Sequence, residues 1–115
     1  MTFRRGDIVL MLFPDSNLRS AKRRPDLIVQ ADNLGAGLAQ TIVAMITSNL
    51  ARGGHPSRIL LRADRQAPQR TGLLMDSVVI TDNLATVLDS EIDRVIGTVG
   101  EMTQVDRALR TTLGL

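Results

Sequence analysis

The 115-residue chain reads as one small α+β domain: short strands in succession, closed by a single C-terminal helix. Three observations predict this. Short apolar runs rich in Ile and Val recur between stretches bearing Gly, Pro, Asn and Asp over residues 8–99. After Gly100 the period changes: Met102, Val105, Leu109 and Leu113 follow at spacings of 3, 4 and 4, which sets them on one helix face. The length and a 43% apolar content suffice for one core and not for two. The pattern predicts a small SH3-like β-barrel with a terminal helix, a single domain over 1–115.

The elements follow in order. Ile8 to Phe13 is a first strand, preceded by Gly6-Asp7 and ended by Pro14. Asp15 to Arg24 is polar and basic, with turn-favouring Asp, Ser and Asn, and predicts an exposed, mobile loop. Pro25 opens a second strand, Leu27 to Val29. Asn33, Gly35 and Gly37 make Asp32 to Gly37 a turn. Thr41 to Thr47 is nearly all apolar and predicts a strand buried on both faces. A loop at Arg52 to Pro56 leads into a short strand, Ser57 to Leu61. Arg62 to Gly72 is polar and reads as a surface excursion, followed by strands at Asp76 to Thr81 and Arg94 to Val99. Gly100 precedes the helix and Gly114 is placed to cap it.

Composition excludes several classes. The chain has no cysteine, which removes disulfide scaffolds, zinc fingers and thiol nucleophiles. His55 is the one histidine, so a histidine-based metal site is not expected, and no cofactor is implied. No run of 18 apolar residues exists, and no signal peptide is legible, so the expectation is a cytoplasmic protein without membrane attachment. The net charge of +2 conceals a split: residues 1–70 carry 11 Lys+Arg against 5 Asp, and residues 71–115 carry 3 Arg against 7 acids. The basic half suits a phosphate-bearing partner. Thirteen of the 14 cations are arginine, a skew that GC-rich coding also produces. Phe3 and Phe13 are the only aromatic residues, so no row of rings is present for base stacking.

Four segments together resemble the MazF/PemK family of toxin endoribonucleases: RRGDIVLMLFP near the start, KRRPDLIVQ at 22–30, MITSN at 45–49 and GLLMDSVVITDNLATV at 72–87. The ending EMTQVDRALRTTLGL is similar to that family's terminal helix. The resemblance runs through nearly the whole chain in the family's order. It implies a barrel of the PemK/CcdB type, usually a homodimer. It implies the toxin of a type II toxin–antitoxin system, a metal-independent, sequence-specific ribonuclease that cuts single-stranded RNA and arrests translation. It also implies a cognate acidic antitoxin, MazE-like, with a flexible tail.

The resemblance also implies the site. Arg24 matches the family's arginine before proline. A guanidinium can bind two phosphate oxygens and keeps its charge at ordinary pH, which suits electrostatic stabilisation and not general-base work. Thr47 matches the threonine that ends the third strand, with Ser48 beside it to hold a phosphate. Asp82 matches an acidic position placed to accept the 2′-hydroxyl proton. The arginine that some relatives carry two positions earlier is Ile80 here. Arg19, Lys22 and Arg23, in the loop after the first strand, are expected to contact RNA, although three cations on a polar loop also describe a solvated loop. Asp7 reads as a structural residue and His55 as a solvated loop residue. Two other classes are the alternatives: a gyrase-binding, non-catalytic toxin of the CcdB kind, and a catalytically degenerate binding module. The former depends on exposed residues at the helix end, often a Trp, whereas this chain has no Trp and ends Leu-Gly-Leu.

Overall fold

The computed structural model describes residues 3–14, 21–63 and 70–115, without the side chains of 13, 14, 21 and 22. Its strands are β1 (Asp7–Pro14), β2 (Ala21–Ile28), β3 (Gln40–Thr47), β4 (Arg58–Leu61), β5 (Ser77–Leu88) and β6 (Ile92–Thr98), followed by helix α1 (Thr103–Leu113). Every pairing is antiparallel, in the order β4-β5-β3-β2-β1-β6. The two end strands, β4 and β6, do not pair with each other, so the strand ladder is an open six-stranded sheet and not a closed barrel.

The continuous apolar runs are explained by a core on each face of the sheet. Successive side chains of a strand point to opposite faces. Ile8, Leu27, Ala44, Ile46 and Val79 pack on one face with Val105 and Ala108 of α1. Val9, Met11, Ile28, Val43 and Ile92 fill the other, with Phe3 and Val87 against them. Arg5 ties the helix down: its guanidinium reaches Asp106 at 2.6 Å and the Val29 carbonyl at 3.0 Å. Asp7, read as structural, accepts the Arg4 backbone N–H at 2.9 Å and shapes the turn before β1.

Four elements differ from expectation. β2 begins at Ala21, so residues 21–24 are strand and not loop; backbone pairing with β1 (Leu12↔Arg23, Met11↔Arg24) overrides their polar character. β5 continues to Leu88, seven residues past the expected end at Thr81, because β3 pairs with residues 84–88 as well as 78–80. The ladder jumps from Met45↔Ile80 to Ala44↔Leu84, so Thr81, Asp82 and Asn83 have no partner on β3. Thr81 is fully buried in that interruption and joins the sheet to the helix. Its Oγ1 donates to the Ser57 carbonyl at 2.6 Å and lies 2.8 Å from the Thr112 hydroxyl. β6 begins at Ile92, two residues before the expected start. Finally, α1 buries Val105 and Ala108, and Leu113 stays 54% exposed, because the helix face toward the sheet turns through Ala108 and Thr112.

The segment 70–73 covers the outer edge of β6. The Thr98 N–H donates to the Arg70 carbonyl at 2.9 Å. A Cβ on Gly97 would lie 2.3 Å from the Arg70 oxygen, and one on Gly72 would lie 2.1 Å from the Ile96 oxygen. Only glycine lets two backbones approach this closely. Among the described residues no helix is long and apolar enough to cross a membrane.

Candidate active site

The site begins with a proline in the middle of a strand. Pro25 has no N–H to give to β3, and the β2–β3 ladder stops at Asp26↔Met45. β2 continues, paired with β1 alone, through Arg24 (opposite Met11) and Arg23 (opposite Leu12). β3 continues to Thr47, paired with β5 alone (Thr47↔Val78). The two strands therefore form a fork. Extending their register past the break would set Arg24 against Thr47.

A cleft of about 540 Å³ opens at this fork. Arg23, Arg24, Thr47 and Ser48 all line it. Arg23, Arg24 and Ser48 are exposed and Thr47 is half-buried. The Thr47 hydroxyl oxygen accepts the Asn49 N–H at 3.2 Å, so its own hydrogen remains to be donated. Arg23 pairs with Asp93 of β6 at 2.8 Å. Arg19 lies outside the described residues, as does the side chain of Lys22, whose backbone pairs with Phe13 in β1–β2.

Asp82 does not line this cleft. It stands in the β5 interruption, held by Arg58 at 3.0 Å, and its second oxygen takes the Ser57 hydroxyl at 3.3 Å. The Arg58 hydrogen bonds hold its carboxyl below the usual carboxylate range, which weakens it as a base. His55 is exposed beside this cluster, with Nδ1 at 2.7 Å from the Ser57 hydroxyl and accepting the Ser57 N–H at 3.1 Å. Ile80 is fully buried, so no surface residue stands where some relatives are expected to carry an arginine.

Three contributors to the cleft escape sequence reasoning. Arg94 of β6 adds a third cation, and Ser77 adds a third hydroxyl at the start of β5. Both reach the cleft only through sheet order, which no local pattern encodes. The third is Asp26, directly behind the lining at the crotch of the fork. It is 6% exposed. Burial pushes its carboxyl up to about 7, against the opposing pull of the Ile46 backbone N–H and of the Arg24 charge. A charged residue inside the apolar run PDLIV was the available signal.

Arginines and hydroxyls at one cleft, on a sheet of this topology, call for comparison with known proteins. The family model of PemK-like, MazF-like toxins of type II toxin–antitoxin systems matches residues 4–113. The chain belongs to this family. Within it, the chain is 38% identical over 107 residues to proteins named endoribonuclease MazF2, from Mycobacterium bovis, and endoribonuclease MazF6, from Mycobacterium tuberculosis, with 90% of each chain covered. It is 32% identical over 114 residues to a probable endoribonuclease MazF from Mycolicibacterium smegmatis, covering 97% of both. A solved mycobacterial endoribonuclease in complex with its cognate antitoxin superposes with a TM-score of 0.73 at 22% identity, covering 99% of this chain and 97% of that one. The MazE–MazF structure (Form-III) from Deinococcus radiodurans gives 0.75 at 18% identity, covering 100% and 99%. At these identities the structural likeness speaks for the PemK/MazF-like fold alone.

Proposed function

We propose that this PemK/MazF-like chain is a sequence-specific endoribonuclease that cuts single-stranded RNA, whether mRNA, tRNA or rRNA, at the Arg24–Thr47 cleft and so arrests translation and growth. The observation that carries this reading is the meeting of Arg24, Thr47 and Ser48 at one cleft, in a chain whose relatives at 38% identity are named endoribonucleases.

In this reaction the 2′-hydroxyl oxygen attacks the adjacent phosphorus and loses its proton to solvent, the bond to the 5′-oxygen breaks, that oxygen takes a proton from solvent, and the products are a 2′,3′-cyclic phosphate and a 5′-hydroxyl. Negative charge grows on the non-bridging oxygens as the new bond forms. Arg24 answers that charge with a planar fork of donors that never deprotonates at working pH. Thr47, anchored through Asn49, directs its hydrogen at the same phosphate, and Ser48 supplies a second hydroxyl. Arg23 and Arg94 flank the path of the neighbouring phosphates, with Arg19 and Lys22 on the preceding segment as further RNA contacts. Asp82 is given no proton to accept, because it stands outside the cleft in an ion pair with Arg58. With arginine supplying the positive charge, cleavage is expected to need no metal.

The remaining parts of the reading follow from the same chemistry. The active unit is a homodimer. Its partner is an acidic, MazE-like antitoxin whose tail competes with RNA for the arginines, and its place of action is the cytoplasm. The SH3-like barrel class is supported by the segment 70–73, which leads toward β5 and lies along the free edge of β6.

The test is incubation of a long single-stranded RNA with the purified chain in excess EDTA, with 5′-end mapping of the products. Discrete cuts are expected, and Arg24→Ala is expected to slow cleavage by about a hundredfold or more. Absence of cleavage, or equal cleavage by Arg24→Ala, would overturn the proposal.

A further inference from the structure

The fork contains a group that the reaction above does not use. Asp26 lies on β2 two residues from Arg24, so both side chains leave the same face of the strand. It is the last β2 residue paired with β3, at the point where the two strands part to make the cleft. Pro25, Met45 and Ile46 beside it all line that cleft. The Ile46 backbone N–H favours the ionised form of the Asp26 carboxyl just where Pro25 has ended the ladder. An aspartate fully inside a sheet is costly, and a simple structural filler for that position would be apolar.

Among the described residues, the neighbouring strands supply little compensating charge. β1 sets Val9 opposite it, and between Ile8 and Leu12 that strand carries no ionisable residue. β3 sets Met45 opposite it and carries none from Gln40 to Thr47. On its own strand the cations are Lys22, Arg23 and Arg24, and Arg23 is engaged by Asp93. β6, one strand further away beyond β1, brings that Asp93 and Arg94. Among the described residues, the Arg24 charge pulls against the burial of the Asp26 carboxyl.

Building on the endoribonuclease reading, we propose that Asp26 is a proton-operated positioning residue for Arg24, which couples RNA binding at the cleft to protonation of a buried carboxyl. Ionised, Asp26 holds the Arg24 guanidinium toward the crotch of the fork and repels an incoming phosphate. Protonated, it no longer opposes the attraction of the phosphate to Arg24. The coupling is reciprocal: a phosphate seated at Arg24 is a second negative charge next to Asp26 and raises its proton affinity, so RNA binds tighter where Asp26 is protonated. The same coupling applies to any acidic competitor at this cleft. Burial places the switch near neutral pH and not in the acid range where exposed carboxylates titrate.

The test is binding, separate from chemistry. Fluorescence anisotropy of a labelled 2′-O-methyl single-stranded RNA, which lacks the attacking hydroxyl, is followed from pH 5.5 to 8.5. The wild-type chain is expected to lose at least about fivefold in affinity as pH rises across this range, the lower end of ordinary site-to-site coupling. Asp26→Asn is expected to bind with a flat profile at the tighter level, and Arg24→Ala weakly throughout. A second measurement uses no variant: the Asp26 carboxyl carbon, titrated by NMR, is expected to move its midpoint upward when the RNA is added. Binding that falls equally in wild type and Asp26→Asn, or an unmoved midpoint, overturns the switch and leaves the endoribonuclease reading intact. Absence of RNA binding at every pH overturns both.

Discussion

Replacing Asp26 by Asn should stabilise the protein at alkaline pH and leave it almost unchanged in acid. The carboxyl titrates near 3.8 when exposed and at about 7 in the folded chain, with burial as the leading cause. A raised carboxyl pKa means that the folded state binds the proton more tightly than the unfolded state. Its contribution is therefore fully present below the unfolded value and is lost as pH rises toward the folded value. The two values differ by roughly three units, which amounts to about 4 kcal/mol of stability lost between pH 4 and pH 8. Asparagine keeps the shape and an oxygen for the Ile46 N–H, and it never ionises. Urea unfolding of both proteins at the two pH values isolates the effect, because all other titrating groups are shared. The variant is expected to exceed wild type by about 4 kcal/mol at pH 8 and by under about 1 kcal/mol at pH 4. An equal difference at both pH values, or a variant less stable at pH 8, would refute the claim that this carboxyl is held in a desolvated site.

Two further outcomes test the scaffold around the cleft. Gly97→Ala pushes a methyl group into the Arg70 and Thr71 backbone at 2.3 Å, so it should destabilise by about 3 kcal/mol or more and lower Tm; an unchanged Tm would mean that segment 70–73 does not seal β6. Thr81→Val keeps the volume but removes the hydroxyl's bonds to the Ser57 carbonyl, which retains the Thr81 backbone N–H, and to the Thr112 hydroxyl, at a cost of about 1–3 kcal/mol in urea unfolding, and a loss below about 0.5 kcal/mol would contradict the role given to that hydroxyl.

Much of the fold was legible because its signals are local. The apolar runs gave β1, β3, β4 and the start of β5, and the change of period gave α1 with Gly114 in the left-handed conformation at its end. What escaped was set by partners. Residues 21–24 look like loop until β1 is beside them, and residues 84–88, beyond the expected end of the strand at Thr81, become strand because β3 is beside them. Leu113 fits a helical stripe, but Thr81 calls Thr112 to the sheet instead. The site divides in the same way. Arg24 and Thr47 were marked by their neighbours in sequence, and the fork brings them to one cleft. Arg94 was a lone arginine in a strand until sheet order set β6 beside β1, and Asp82 carried a good motif match yet folds into an ion pair elsewhere. Sequence proximity could not distinguish these two.

Pro25 links the fold to the proposed chemistry. In an ordinary antiparallel pair, β2 and β3 would run together to their ends, and the backbone groups near Arg24 and Thr47 would be consumed by the ladder. A proline at this position removes a donor and permits the strands to part, while β1 and β5 continue to support the two separated ends. Arg24 and Thr47 thus sit on rigid strands but face a gap that backbone pairing has not closed. Such an arrangement gives preorganisation without filling the site. The gap also exposes a cost, since Ile46 is left near the break with a donor to satisfy. That donor acts on the Asp26 carboxyl, an ionisable group two residues from the arginine on the same strand face. An apolar residue at 26 would leave the same fork and the same Arg24, but the cleft would then have no proton-dependent charge beneath it. The aspartate thus separates two questions that the Arg-Pro motif alone joins: how the cleft is opened, and when Arg24 is available to a phosphate.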